Sequence, residues 1–163
     1  MSRTSFGGPA DPDYVDPMTC YEPPAFNDAV EASLAQMSVG QIKAVPLAMI
    51  DALESVEEAV RQLADHHIAC LMVMENDRLV GVFTERDVLM KLAENYDGWS
   101  DRPVREFMTA SPVTVLDVDP VSTAVSVLAV QGYRHVPVLD LDDTVVGIVS
   151  PNRVLDFLQS QLD

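Results

Sequence analysis

Thr84 and Asp87 stand three residues apart, where an apolar strand pattern gives way to a helix pattern in Gly81-Val82-Phe83-Thr84-Glu85-Arg86-Asp87. A carboxylate there is a bidentate acceptor for a vicinal diol, such as the two hydroxyls of a ribose. The threonine hydroxyl and the free N–H groups of a helix start suit a phosphate or sugar oxygen. The same spacing also makes a plain helix cap, and both readings stand on these residues alone. Further along, Tyr133, Arg134 and His135 precede another apolar strand pattern. Arg binds phosphate through a planar fork and His adds a switchable charge. A surface ion pair for Arg134 and a core imidazole for His135 are the alternatives.

The elements that must position these residues occur twice. Val80-Gly81-Val82-Phe83-Thr84-Glu85-Arg86-Asp87-Val88-Leu89 returns as Val146-Gly147-Ile148-Val149-Ser150-Pro151-Asn152-Arg153-Val154-Leu155. Upstream, Val56, Ala59, Val60, Leu63 and Ala64 line up with Val121, Ala124, Val125, Leu128 and Ala129. The offset grows by one residue between the two matches, so the intervening turn is one residue longer in the second copy. A duplication fixes the architecture before any local assignment. Each copy reads strand–helix–strand–strand–helix, an α/β (α+β) lobe of a size that is marginal alone, so the two lobes are expected to pack together.

Residues 1–38 form an acidic tail rich in Pro and Gly plus a short helix capped by Asn27 or Asp28, with Val30, Leu34 and Met37 on one face. The first repeat spans 39–95, a linker with Gly98, Trp99 and Pro103 spans 96–103, and the second repeat spans 104–163. Ser55-Val56-Glu57-Glu58 is a capping-box pattern. Cys70 to Met74 is continuously apolar, which predicts a strand buried on both faces. Ser150 followed by Pro151 predicts a sharp helix start.

The formal charge is −16, from 26 acids against 10 bases. This argues against a general nucleic-acid or anionic-membrane surface, both of which need clustered Lys and Arg, but leaves room for a local phosphate pocket. Cys20 and Cys70 make no disulfide framework, and Cys70 reads as a buried thiol. No signal-peptide pattern opens the chain and no apolar run approaches the roughly 18 residues of a membrane span, so a soluble cytoplasmic protein is expected.

Three features converge: the Gly-Val-Phe-Thr-Glu-Arg-Asp element, Phe107-Met108-Thr109-Ala110-Ser111-Pro112-Val113-Thr114-Val115 opening the second repeat, and Tyr133-Arg134-His135-Val136-Pro137-Val138. Their order and duplication resemble the tandem CBS-domain pair, or Bateman module, over roughly residues 39–162. The opening of the first repeat, Val39 to Ile50, lacks the Met-Thr-x-x-Pro pattern. The resemblance implies two pseudo-symmetric lobes with their sheets packed together and two clefts between them. It implies no obligatory cofactor but a regulatory ligand: AMP, ADP, ATP or S-adenosylmethionine. It also implies a homodimer and an unidentified protein effector. Carried onto this chain, Thr84 and Asp87 would hold the ribose, Thr109 and the backbone near Val113 would edge the adenine, Tyr133 and Pro137 would be apolar walls, and Arg134 and His135 would meet phosphate.

In the second copy Arg153 stands where Asp87 stands in the first, and Arg offers no acceptor lone pair. Ala69 and Cys70 stand where Arg134 and His135 stand. The expectation is one competent cleft and a second that lacks both acid and cations and is empty or apolar. A ligand-independent dimerisation module with closed clefts remains the alternative. No catalytic group and no metal site are expected: His66-His67-x-x-Cys70 lacks a fourth ligand, and Asp140-Leu141-Asp142-Asp143 lacks the glycine and distal Glu of a calcium loop and reads as a solvated hairpin turn.

Overall fold

A computed structural model describes residues 25–45 and 48–162. The tail over 1–24, with Cys20, lies outside the described residues. Helix α1 (Ala29–Gln36) starts at Asp28, whose Oδ1 accepts the Glu31 N–H at 2.8 Å. The first repeat then supplies β1 (Met49–Asp51), α2 (Val56–Asp65), β2 (Cys70–Glu75), β3 (Arg78–Thr84) and α3 (Glu85–Asp87), which runs on as a π-helical turn over Val88–Leu92. One further helical turn, α4 (Tyr96–Trp99), sits in the linker. The second repeat supplies β4 (Thr109–Ala110), β5 (Val115–Leu116), α5 (Val121–Gln131), β6 (Val136–Leu139), β7 (Val145–Val149) and α6 (Pro151–Ser160). The expected order therefore holds in both copies, with strand β4 added ahead of the second.

Local chemistry explains the ends. Ser55 Oγ accepts the Glu58 N–H at 3.1 Å and starts α2. The reciprocal half of the expected capping box does not form, because the Glu58 carboxylate turns to Arg61 and Gln62 instead. Gly132 ends α5 at φ 66°, a left-handed conformation that glycine adopts at no steric cost. The β2–β3 hairpin turns on Asn76 (φ 50°) and Asp77 (φ 62°), both left-handed, as a two-residue turn requires. The corresponding β6–β7 turn is one residue longer, and there Asp140 Oδ1 accepts the N–H groups of Asp142 and Thr144, each at 2.9 Å. The Asp140 carboxylate is thus spent on the backbone turn.

Strands β1-β2-β3-β4 form one sheet and β5-β6-β7 the other. The two repeats exchange their opening segments. β4 of the second repeat pairs antiparallel with β3 of the first, and Ala44 of the first repeat bridges to Ile148 in β7. The pattern is reciprocal down to single bonds. Val39 N–H donates to Asp119 O and Gly40 N–H to Asp117 O, while Val104 N–H donates to Glu54 O and Arg105 N–H to Ala52 O, the donors 65 residues on and the acceptors 65 residues back. The repeated glycine of β3 and β7 makes room for this exchange. A Cβ on Gly81 would lie 2.3 Å from Met108 Sδ, and one on Gly147 would lie 2.6 Å from Lys43 Cδ.

Three apolar layers result. Leu71, Val73 and Phe83 point into the first lobe with Val56, Ala59 and Leu63 of α2. Val115, Val136, Val138 and Val149 do the same in the second lobe. The alternate residues Cys70, Met72 and Val82 meet Val145 between the sheets. This is why Cys70 to Met74 is apolar on both faces. Each such buried side chain contributes roughly 1.5–3 kcal/mol, so the shared layer holds the lobes together. Trp99 packs at a tilt against Phe107 with ring centroids 5.6 Å apart, fixing the linker to the first lobe.

Candidate functional site

Strand β3 ends at Thr84, the N-cap of α3, and β6 begins just after Tyr133, Arg134 and His135. Because the sheets face each other, these ends converge on one cleft of about 420 Å³. Thr84, Asp87, Thr109, Val113, Tyr133, Arg134 and His135 all line it. Pro137 does not: it is buried in β6 opposite Ile148. Two residues along a strand is roughly 6.6 Å, which carries it beyond the lining. The cleft also takes Glu85, Arg86, Leu89, Met90, Pro112 and Gly132. Arg86 lies between Thr84 and Asp87 in sequence. A residue there on a helix start points beside the cap, and this signal could have named it.

Asp87 is 6% exposed and its carboxylate is saturated from within the chain. Oδ2 accepts the Thr84 N–H at 2.9 Å and the Thr84 hydroxyl at 2.7 Å. Oδ1 accepts the Thr109 hydroxyl at 3.2 Å and pairs with Lys91 Nζ at 2.7 Å. Asp87 N–H donates to Thr84 Oγ1 at 3.3 Å, completing a capping box. A carboxylate offers about four acceptor positions, so a diol must displace Lys91 or Thr109 to reach it. Lys91 also donates to the carbonyls of Phe107 at 2.7 Å and Met108 at 3.2 Å. The two sequence readings of Thr84 and Asp87, cap and cleft residue, thus coincide in one structure.

Cations face this acid. Among the described residues neither Arg86 nor Arg134 forms an ion pair. His135 is half-buried; burial lowers its pKa, Glu85 pulls it back up and Arg134 lowers it further. Its neutral form is favoured. Cys70 is 7% exposed, and burial, with Asp87 adding to it, pushes its thiol up to about 12, so it is no nucleophile at neutral pH.

Behind the shared residues Ala69 and His135 lies a second cleft of about 940 Å³. Ser150 and Arg153 line it with Ala69 and Cys70, as the repeat implies. The expectation that it lacks cations is overturned: Arg61 and Arg153 line it, along with the imidazoles of His66, His67 and His135. Arg61 stands on α2, His66 and His67 just past its end and Arg153 on α6, while His135 is shared with the first cleft; none stands at Ala69 or Cys70, the positions that match Arg134 and His135. It is not an apolar cavity.

Residues 39–94 and 104–160 match the CBS domain family, and the chain belongs to it as a tandem pair. An uncharacterized 17.7 kDa protein of Acidianus ambivalens is 30% identical over 126 residues, which cover 77% of this chain and 73% of that one. CBS domain protein PAE2072 from Pyrobaculum aerophilum, solved in complex with AMP, is 25% identical with a TM-score of 0.67 over 76% of this chain and 99% of that one. The CBS domain pair of protein MJ0100, solved with 5′-methylthioadenosine and S-adenosyl-L-methionine, is 26% identical with a TM-score of 0.68 over 77% of this chain and 98% of that one. Among the described residues no helix is long and apolar enough to cross a membrane.

Proposed function

We propose that this chain is a regulatory module that binds one adenosyl compound, an adenine nucleotide or S-adenosylmethionine, in the first cleft. The observation that carries this reading is the convergence of Thr84, Asp87, Thr109, Val113, Tyr133, Arg134 and His135, drawn from both repeats, on one cavity. Its volume lies within the roughly 300–1,000 Å³ of small-molecule sites. The solved relatives with AMP and with S-adenosyl-L-methionine support the ligand class. In this reading adenine lies between Val113 and Tyr133, the ribose hydroxyls take Asp87 Oδ1 from Lys91, and phosphates meet Arg134, Arg86 and His135. The ligand then bridges α3 of one repeat and the β6 entrance of the other. It stabilises the arrangement in which both contacts are made and so shifts the population. That arrangement is what a second copy or a protein effector reads, through exposed side chains such as Leu89 and Met90 beside the cleft. The module acts by binding, in the cytoplasm and without an obligatory cofactor.

One observation favours a ligand-independent dimerisation module instead: the acceptor positions of Asp87 are already filled. Thermal unfolding against AMP, ADP, ATP, S-adenosylmethionine and GTP separates the two. A ligand of the native state adds about 2.7 kcal/mol of stability at a hundred times its dissociation constant. The proposal expects a shift confined to adenosyl compounds, abolished in Asp87→Ala, at one ligand per chain. No shift with any of them would leave the dimerisation module, and a shift unchanged in Asp87→Ala would remove Asp87 from the ribose.

A further inference from the structure

Five non-glycine residues among those described have positive φ: His67, Asn76, Asp77, Ser111 and Asp143. Four of them sit where a left-handed residue is expected. Asn76 and Asp77 turn the β2–β3 hairpin, Asp143 lies in the β6–β7 turn, and His67 follows the C-cap of α2. Ser111, at φ 48°, is at neither a hairpin turn nor a helix end. It also precedes Pro112, and a residue before proline is pushed toward extended φ. Its side chain is exposed, so packing of its own does not hold it there. A disfavoured conformation that the residue's own side chain does not explain points to a role in its surroundings.

Ser111 is the corner at which the chain changes sheets. Thr109 and Ala110 pair with Val82 and Gly81 in the first sheet, and the Ser111 N–H donates to the Val80 carbonyl at 3.0 Å. Val115 and Leu116 pair with Val138 and Leu139 in the second. Between the two, Pro112 and Val113 line the first cleft. Val113 is half-buried, yet neither its N–H nor its carbonyl has a backbone hydrogen-bond partner among the described residues. The cleft thus meets one unused main-chain donor and one unused acceptor. Adenine offers an acceptor and a donor on one edge, N7 and the N6 amino group, where guanine offers two acceptors. We propose that Ser111 is a positioning residue that sets base selectivity: its left-handed corner holds Pro112 and the main-chain groups of Val113 where they match adenine and mismatch guanine. The inference rests on an adenosyl ligand in the first cleft and adds which residue makes that cleft selective for its base.

The test is the calorimetric affinity of the full chain and of Ser111 variants for AMP and GMP. Ser111→Asn keeps a residue type that tolerates the left-handed region, Ser111→Ala loses that tolerance, and Ser111→Val adds a β-branch that opposes it. The unaltered chain should prefer AMP. The asparagine variant should keep that preference, and the valine variant should reduce the AMP-to-GMP affinity ratio about tenfold, the scale of one hydrogen bond. The alanine variant should fall between them, and it carries the test if the valine variant does not fold. A merely structural loss weakens both nucleotides alike, so the ratio isolates positioning. A ratio unchanged in the alanine and valine variants, whether the affinities hold or fall together, would overturn the inference and leave the adenosyl reading standing. An unaltered chain that binds neither nucleotide, or both equally, would overturn the adenosyl reading as well.

Discussion

Lys91 Nζ lies 2.7 Å from Asp87 Oδ1 and, at the same distance, from the Phe107 carbonyl oxygen. One ammonium thus occupies the proposed ribose acceptor and ties the end of the first repeat to the entry of the second. If the ribose uses Oδ1, removing this internal competitor helps the ligand and harms the empty protein. Lys91→Met should bind adenosine several-fold more tightly while its ligand-free form unfolds at a lower temperature. Calorimetry and thermal melts check the two halves. Adenosine affinity that is unchanged or weaker would mean that the ribose never takes the place of Lys91.

Asp87→Ala removes the acceptor and half of a capping box together. Loss of a cap costs typically about 1 kcal/mol, and the Lys91 charge would be left without its carboxylate. The variant should therefore be less stable by about 1–3 kcal/mol in urea unfolding and should lose adenosyl binding. Asp87→Asn keeps an acceptor oxygen and should recover part of the stability but little of the affinity. Full recovery of affinity in the asparagine variant would show that the negative charge is not needed.

The architecture was legible because a duplication ties every local reading to a second instance. The apolar run Cys70 to Met74 predicted burial on both faces, and its residues divide between the first-lobe core and the inter-sheet layer. The reciprocal exchange was not legible, because a two-residue strand such as Thr109–Ala110 and a single bridge at Ala44 carry no periodicity. Lys91 was missed because a spacing of four from Asp87 reads as an ordinary surface pair on a helix. In the sequence His66 and His67 read only as an incomplete metal set with Cys70. They reach the second cleft only through the way α2 packs beside β2, which sequence spacing does not express.

Gly81 and Gly147 test that exchange. A Cβ at either position would enter the other repeat's crossing segment, at 2.3 Å from Met108 Sδ or 2.6 Å from Lys43 Cδ. Overpacking of this kind costs typically about 1–3 kcal/mol. Gly81→Ala and Gly147→Ala should each lower the urea midpoint accordingly, and Gly81→Ala, whose Cβ would also lie 3.0 Å from the carbonyl oxygen of Thr109 in β4, a residue that bonds Asp87, should also weaken ligand binding. Equal stability in both variants would mean that Met108 and Lys43 move aside freely.

Arg134 and Asp87 should separate by ligand. Arg134 lines the first cleft as a cation without an ion pair among the described residues. Arg134→Ala should weaken AMP by about tenfold, the scale of a hydrogen bond to a charged group, and leave adenosine nearly unchanged. Equal losses for both would remove Arg134 from the phosphate.

His135 gives the first cleft a pH dependence whose sign follows from its lowered pKa. Burial disfavours the imidazolium, so the unfolded chain takes up this proton at a higher pH than the folded one. Its contribution to stability is present above the ordinary histidine value near 6.5 and is lost as pH falls through the lower folded value. A phosphate beside the ring reverses the preference by stabilising the charged form. The empty protein should therefore lose stability below about pH 6.5, while its affinity for AMP relative to adenosine rises over the same range. His135→Asn should flatten both trends, read as thermal midpoints and as the AMP-to-adenosine affinity ratio at a series of pH values. If the ratio keeps its slope in the asparagine variant, the titrating group is the phosphate itself or another side chain.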